Sequence, residues 1–192
     1  SGEGPPKFAN PRFLGPEESM AIQAALGSDI ALAFDECTPF HADRDYTARS
    51  TERTHRWLDR CLAWHLAEGP EDQAVFGIVQ GGVHEDLRRQ SAERVSSAAI
   101  DGVAIGGTLG REKEEMLGVL GFTVPQLPAE APLHLLGIGE VDDLLAGIAL
   151  GIDLFDCAVP TRLARHGVAL APEPEGRFRI DHGRERLPLH AH

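Results

Sequence analysis

The chain has 192 residues, of which 18 are basic and 30 acidic, and its net charge is −12 at neutral pH. Hydrophobic residues make up 42% and charged residues 25%, which excludes collagen-like, low-complexity and disulfide-scaffold chains. No apolar run approaches the roughly 18 residues that a membrane helix needs. Three cysteines without a CxxC pair indicate a reducing, cytoplasmic setting. The acidic balance argues against indiscriminate nucleic-acid binding, yet the segment after Cys157 carries six basic and four acidic residues.

The N-terminal part of the chain contains a loose segment and then a first helix and strand. Residues 1–13 are rich in Pro and Gly and show no periodicity, so we expect a loose lead. Pro16 suits the first position of a helix, and Gly27 is typical of a helix end. The apolar run over residues 29–34 predicts a buried strand, which Asp35 follows directly.

Helices and strands continue to alternate along the rest of the chain. The predicted elements are helix 47–67, strand 74–80, helix 84–97, strand 101–107, helix 112–120, strand 134–139, helix 141–150 and strand 152–155. Nearly continuous apolar strands that alternate with helices are typical of an α/β fold with a covered parallel sheet. After these elements, only residues 178–180 show weak strand character.

Two architectures fit this alternation, a doubly wound open sheet and a (β/α)8 barrel of the TIM type. In both, ligands bind at the C-terminal ends of the strands. The chain has neither a GxGxxG nor a GxxxxGK[ST] motif, which disfavours the nucleotide-cofactor folds. Polar or glycine residues at five different strand ends favour the barrel. A complete barrel usually has about 250 residues and eight strands, so five predicted strands indicate a partial barrel.

Two carboxylates are the main candidates for chemistry. Asp35 and Asp156 each follow a strand, in the similar sequences FDECTPF and FDCAVPTR. An Asp in this position is commonly a helix cap or a turn residue. Two carboxylates that face one pocket also suit nucleophilic or acid–base chemistry at an electron-poor carbon such as a sugar C1′.

Other strand ends carry residues that suit ligand binding. Gln80 offers donors and acceptors that match the edge of a heterocycle, or it caps the next helix. Gly106 and Gly107 bring backbone N–H groups close to a ligand, or they form a tight turn. Arg162 and Arg165 lie three positions apart, so in a helix they share a face suited to phosphates; in a loop they are solvated.

The remaining reactive residue types have structural interpretations. Cys37 and Cys157 flank the two acids, and nothing in the sequence around them favours a thiolate, so we expect them to line a pocket or pack in the core. Cys61 is expected to pack on a helix face. The histidines show no HExxH motif and no cluster with ligand spacing, so no metal site is predicted.

Several long motifs in order resemble the bacterial tRNA-guanine transglycosylase family of the queuosine pathway. They are ESMAIQAALGSDIALAFDECTPF, FGIVQGGVHEDLRRQSAE, DGVAIGG, HLLGIGEVDDLLAGIALGIDLFDCAVPTR and ARHG, and they span residues 14–167. The resemblance implies a (β/α)8 barrel with a zinc-binding insertion near its C-terminus. It also implies exchange of guanine at the wobble position of tRNA for a 7-deazaguanine, through a covalent glycosyl-enzyme.

The resemblance also assigns roles to particular residues. Asp156 resembles the nucleophile that attacks C1′ of the ribose. Asp35 resembles the acid that accepts from N1–H and the exocyclic amine of the base, and Gln80 with the Gly107 backbone resembles the groups on its exocyclic oxygen. The resemblance places four further residues, two that line the base pocket and two that contact tRNA: Cys37, Leu136, Arg162 and Arg165.

The chain departs from the family pattern in three places. It has no DSGGFQ-type motif with the second catalytic Asp, and no CxCxxC run of zinc ligands, so we expect no cofactor in this chain. Its GGTLGRE loop differs from the family's GGLxVGE, with Thr108 where Leu is usual, which leaves the role of Glu112 open. We therefore expect a partial barrel over residues 14–167, an extension over 168–192 where the zinc module would begin, and self-association through exposed strand edges.

The sequence is compatible with three functions. The first is a base-exchanging enzyme, or part of one, with tRNA and a 7-deazaguanine as its partners. The second is a non-catalytic subunit that binds tRNA or a catalytic homologue. The third is an unrelated barrel lyase or glycosidase, which would need another acid at a strand end, and none stands out.

Overall fold

The computed structural model describes residues 14–39, 41–107, 109–110, 112–167, 169–172 and 178–181. Its helical segments are α1 (Pro16–Ala25), α2 (Arg44–Glu68), α3 (Glu85–Ser96), α4 (Lys113–Thr123), a 3-10 turn (Val124–Gln126), α5 (Val141–Ala149) and α6 (Val159–Arg165). Its strands are β1 (Ile30–Leu32), β2 (Ala74–Val79), β3 (Gly102–Ile105), β4 (Leu133–Leu135), β5 (Leu154–Phe155), β6 (Ala169–Pro172) and β7 (Phe178–Asp181).

The first five strands form one parallel sheet that is curled into half of a barrel. Their order in the sheet is β1-β2-β3-β4-β5, so each strand pairs with the next one along the chain. A doubly wound sheet reverses its strand order at a switch point, and these five strands show no reversal. Contacts between α1 and α2, α2 and α3, and α3 and α4 place these helices side by side. The geometry confirms the partial (β/α)8 barrel and excludes the doubly wound alternative.

Alternate side chains of each strand face two different environments. On β2, Val75 and Val79 belong to the buried apolar core that the sheet shares with its helices, whereas Phe76 and Ile78 lie outside that cluster. Because successive strand side chains point to opposite faces, Phe76 and Ile78 face the barrel interior. Gln80 continues this interior row beyond the C-terminal end of β2.

Aspartates fix the register of the sheet at its N-terminal edge. The Val75 N–H donates to Asp101 Oδ2 at 2.8 Å, and the Asp101 N–H donates to the Val75 carbonyl at 2.9 Å. The Leu133 N–H and Asp153 Oδ2 repeat this pair at 2.9 Å, with the Asp153 N–H on the Leu133 carbonyl at 2.9 Å. Each aspartate thus ties its strand to the preceding one by two bonds, which hold the alternation in place.

All five predicted strands are longer than the observed ones. The prediction of a strand over residues 134–139 was wrong beyond Leu135, because Leu136 and Gly137 form a turn in which Gly137 has φ of +75°. This left-handed conformation favours glycine and takes the chain out of the sheet. The strand predicted over residues 29–34 is ordered as a strand only at Ile30–Leu32.

A small hairpin follows the half-barrel. Strand β7 coincides with the strand character predicted at residues 178–180, and it pairs antiparallel with β6, which the sequence did not indicate. The predicted loose lead, residues 1–13, lies outside the described residues, as do residues 182–192. The domain boundaries stay a prediction.

A glutamine side chain of α1 covers the unpaired side of β1, an outer strand of the sheet. The Leu32 N–H donates to Gln23 Oε1 at 2.8 Å, and Gln23 Nε2 donates to the Leu32 carbonyl at 2.9 Å. The carboxamide therefore makes the two bonds that a neighbouring strand would make, and it covers part of an edge that otherwise invites pairing. Ile30, on the same edge, is exposed. The predicted self-association stays a prediction.

We expect Gln23→Ala to destabilise the fold by about 1–2 kcal/mol, because both backbone groups of Leu32 lose their partners. The measurement is the free energy of unfolding from urea titrations. Gln90→Ala is the matched control, since Gln90 is an exposed helical glutamine on α3. Equal losses in the two variants would contradict the edge-covering role of Gln23.

Candidate functional site

The structure brings the predicted base-binding residues together at one edge of the sheet. Asp35 follows β1, Gln80 follows β2, Gly107 follows β3 and Leu136 follows β4, all at the C-terminal ends of parallel strands. Asp156 follows β5 at the same edge. The sequence prediction that five strand ends contribute to one location is confirmed as geometry.

Asp35 and Gln80 form a direct pair at the base of this edge. Gln80 Nε2 donates to Asp35 Oδ2 at 2.6 Å, and Gln80 is fully buried. This bond fixes which end of the carboxamide faces the acid. A carboxamide nitrogen has two N–H donors, so one remains for another acceptor. Gln80 Oε1 is buried and has no hydrogen-bond partner among the described residues.

Gly107 lies directly against the Gln80 carboxamide. A Cβ built on Gly107 would be 2.1 Å from Gln80 Oε1, and the residue has φ of +76°. Both the contact and the backbone conformation therefore require glycine. A Cβ on the preceding Gly106 would be 2.9 Å from Gln80 Nε2 and 3.4 Å from Leu136 Cδ1. The absence of side chains at Gly106 and Gly107 thus lets Gln80 and Leu136 lie close to this backbone.

Burial raises the pKa of the Asp35 carboxyl, and the hydrogen bond from Gln80 opposes this effect. Removing a carboxylate from water disfavours its charged form. When ionised, the group can only accept hydrogen bonds. Asp35 is therefore suited to a ligand that presents N–H donors and restores some of the lost solvation.

The segment that carries Cys37 is held by side chains of α2. The Glu36 N–H donates to Thr54 Oγ1 at 3.0 Å, and the Glu36 carboxylate accepts from the Tyr46 hydroxyl at 2.7 Å and pairs with Arg53. Cys37 is exposed as a residue, but partial desolvation of its sulfur and the nearby acid Asp35 raise its pKa. A thiol with a raised pKa is protonated at neutral pH.

The other two cysteines also match their predicted surroundings. Cys61 is fully buried on α2 and accepts a hydrogen bond from the Phe34 N–H at 3.2 Å. The Cys157 side chain packs on Gly139, where a Cβ would lie 2.2 Å from the sulfur. Both thiols therefore serve packing in the described structure.

A buried arginine supports the turn around Gln80, and sequence reasoning missed it. Arg88 on α3 is fully buried and donates to the carbonyls of Val79 at 3.0 Å and Gly82 at 2.8 Å. Ser91 Oγ, one turn further along α3, accepts the Gln80 N–H at 3.1 Å. Burial lowers the pKa of Arg88 to about 10, which leaves it cationic at neutral pH. Its spacing from Ser91 on one helix face was the available signal.

Asp156 occupies a more open position than Asp35. Its Oδ1 accepts from His134 Nε2 at 3.1 Å and from the Gly137 N–H at 3.0 Å. The Asp156 side chain is 58% exposed, whereas His134 is 15% exposed. The carboxylate is therefore anchored through one oxygen and faces the open side of the half-barrel. Sequence reasoning did not single out His134.

The two predicted phosphate-binding arginines lie on α6 and not in a loop. Arg162 and Arg165 are exposed and one helical turn apart, so they lie on the same side of the helix. They follow Asp156 closely in the chain. Glu112, whose role the sequence left open, is exposed and precedes α4 without a capping bond from its side chain.

The described part of the chain has neither a metal-binding cluster nor a membrane-spanning helix. No group of three or more His, Cys, Asp or Glu side chains there is arranged to hold a metal ion, so these residues do not fit the zinc site that the family resemblance implies. Among the same residues, none of the helices is long and apolar enough to cross a bilayer.

Comparison with known proteins identifies relatives over most of the chain. The family described as queuine tRNA-ribosyltransferase matches residues 7–191. The queuine tRNA-ribosyltransferase of Roseiflexus sp. (strain RS-1) is 54% identical over 175 residues, which are 86% of this chain and 44% of that protein. The protein of the same name from Halalkalibacterium halodurans is 55% identical over 159 residues, 82% of this chain and 41% of the relative.

A third protein of that name, from Pseudomonas aeruginosa, is 53% identical over 156 residues, 81% of this chain and 41% of the relative. The chain thus spans less than half the length of these curated relatives. The family match covers nearly all of the chain, and the relatives agree in name. The chain belongs to the queuine tRNA-ribosyltransferase family.

Proposed function

We propose that this chain carries the base pocket and the nucleophile of a tRNA-guanine transglycosylase. The enzyme would exchange guanine at the anticodon wobble position for a 7-deazaguanine, through a covalent glycosyl-enzyme. The observation that carries the proposal is the joint placement of the Asp35–Gln80 pair and the open Asp156 carboxylate at one edge of the half-barrel.

The pocket chemistry matches the edge of a guanine-type base. Such a base presents two adjacent donors, N1–H and the exocyclic amine, next to a carbonyl acceptor. Asp35 in its ionised form accepts from the donors, and the second N–H of Gln80 together with the Gly107 N–H serves the carbonyl. Leu136 and the neutral thiol of Cys37 contact the base without competing for these bonds.

Asp156 performs the exchange as a nucleophile. One carboxylate oxygen forms a bond to C1′ of the ribose while the bond from C1′ to the base nitrogen breaks, and the departing base keeps the electron pair. The incoming base attacks C1′, and the carboxylate leaves with the electrons of the ester bond. The incoming base gives up one proton and the departing base takes one up, so the exchange is balanced. A carboxylate also stabilises the oxocarbenium-like centre between the two states.

The partner in this reaction is the anticodon region of a tRNA. Arg162 and Arg165 supply two cations on one face of α6, suited to backbone phosphates near the reacting ribose. The wobble nucleotide has to leave its stack to reach a pocket at the strand ends. The acidic character of the rest of the chain restricts RNA contacts to such local basic positions.

The first test is trapping of the covalent intermediate. The chain is incubated with an anticodon stem-loop that has guanine at the wobble position, with a 7-deazaguanine that stalls exchange. We expect an SDS-stable adduct, and we expect Asp156→Asn to form none, because a carboxamide is a poor nucleophile. Asp142→Asn, at an exposed position in the first turn of α5, is the matched control for an amide substitution.

Two outcomes would contradict the proposed reaction. Stem-loop binding without an adduct would indicate a non-catalytic tRNA-binding subunit. An adduct that persists in Asp156→Asn would assign the nucleophile to another residue.

The affinity of a free 7-deazaguanine is expected to depend on the ionisation of Asp35. The raised pKa means that Asp35 takes up a proton at a higher pH than a solvated aspartate, and affinity falls as the pH decreases through that value. Calorimetric titrations across the acidic range measure this dependence. Asp35→Asn should bind weakly at every pH, and Asp29→Asn, at the other end of β1, should retain the wild-type profile. A flat wild-type profile would contradict the role of Asp35.

Gly107→Ala is expected to weaken base binding at least on the order of 10-fold, because the new Cβ would displace the Gln80 carboxamide. Gly118→Ala is the matched control, since a Cβ on Gly118 has nothing within 4 Å. The measurements are the Kd of the base and the free energy of unfolding. Equal affinities in the two variants would show that Gly107 does not shape the pocket.

A further inference from the structure

His134 has an unusual position in the sheet. It lies at the centre of β4, between Leu133 and Leu135, which both belong to the core shared with the helices. Strand alternation places His134 on the interior face, where its register neighbours are Ala104 on β3 and Leu154 on β5. A polar ring among apolar neighbours loses hydration and needs a partner. Its partner is Asp156.

The contact spans two levels of the barrel interior. In the sheet register His134 is level with Leu154 on β5. Asp156 lies two residues after Leu154, just beyond the end of β5, and so on the same face. The imidazole therefore reaches diagonally from the covered interior toward the open edge. The exposed fractions, 15% for His134 and 58% for Asp156, agree with a support that is covered and a carboxylate that is accessible.

Both hydrogen bonds to Asp156 fall on the same oxygen. Oδ1 accepts from His134 Nε2 and from the Gly137 N–H, and Oδ2 has no hydrogen bond among the described residues. Two donors on one oxygen restrict rotation of the carboxylate about its terminal torsion, which is otherwise soft. Oδ2 is thereby held in one orientation with its lone pairs available.

We propose that His134 is a positioning residue that fixes Asp156 through Oδ1 and so selects Oδ2 as the attacking oxygen. The inference rests on the proposed function of Asp156 and adds a residue to it. After Oδ2 has bonded to C1′, Oδ1 is a carbonyl oxygen that still accepts both hydrogen bonds, so the support is retained in the intermediate. Holding a nucleophile in its reactive orientation is a recognised source of rate enhancement.

Two substitutions at His134 test this role. His134→Phe keeps a planar ring of similar size and removes the donor. His134→Gln retains an N–H donor on a side chain that can reach the same oxygen. We expect adduct formation to be on the order of 10-fold slower in His134→Phe and to recover to within about 3-fold of the wild type in His134→Gln.

The Kd for the stem-loop separates positioning from folding. We expect it to be unchanged in both variants, because His134 lies below the surface and contacts Asp156, not the RNA. Equal adduct rates in the wild type and His134→Phe would overturn the proposal. So would a parallel loss of rate and RNA affinity that His134→Gln does not restore.

A second measurement does not depend on activity. Nitrogen-15 NMR of the imidazole reports which ring nitrogen carries the proton. We expect His134 to be protonated at Nε2, with a signal that changes in Asp156→Ala. If the wild type forms no adduct, the proposed function of the chain fails. The spectrum then still tests whether His134 donates a hydrogen bond to Asp156. A His134 signal that is identical in the wild type and Asp156→Ala would overturn this pairing.

Discussion

The site depends on one buried cation. Arg88 donates to the carbonyls of Val79 and Gly82, the residues on either side of the segment that carries Gln80. Val79 is the last residue of β2, and its carbonyl also accepts the Gly106 N–H at 3.1 Å. The Gly82 carbonyl lies beyond the strand, and a buried unpaired carbonyl is costly. The arginine therefore holds the turn by which the chain leaves β2. That turn carries Gln80, whose carboxamide bonds Asp35 and lies against Gly107.

The two halves of the site have opposite physical characters. In the Asp35–Gln80 pair the acid is partly buried and the glutamine fully buried, which suits recognition, because a rigid pocket discriminates between ligand edges. Asp156 is exposed and anchored at one oxygen, which suits reaction with a large polymer that enters from outside. The Glu36 contacts to α2 keep the first half fixed while the second remains accessible.

The sequence predicts where the site lies better than it predicts the residues that hold the site in place. Alternating apolar strands and helices imply a parallel sheet, and parallel strands bring Asp35, Gln80 and Asp156 to one edge without knowledge of any contact. The supporting role of Arg88 was not predicted, because an arginine in a polar helix is usually solvated and the sequence does not indicate its burial. His134 was not predicted because its partner is 22 residues away and depends on which face of β4 it occupies. Strand β4 ends earlier than predicted because of the backbone conformation of Gly137, and the pattern of hydrophobic residues does not indicate that conformation.

The sequential strand order has a consequence for how the chain acquires its structure. Each strand pairs with its predecessor, and the aspartate bridges join residues only 26 and 20 positions apart. Such contacts close short loops, so the entropy lost in each pairing step stays small. During synthesis, β2 has its partner β1 already available when it emerges, and every later strand finds a template in the same way. Among these five strands the order is suited to stepwise assembly, with β5 and the adjoining Asp156 joining after the other four.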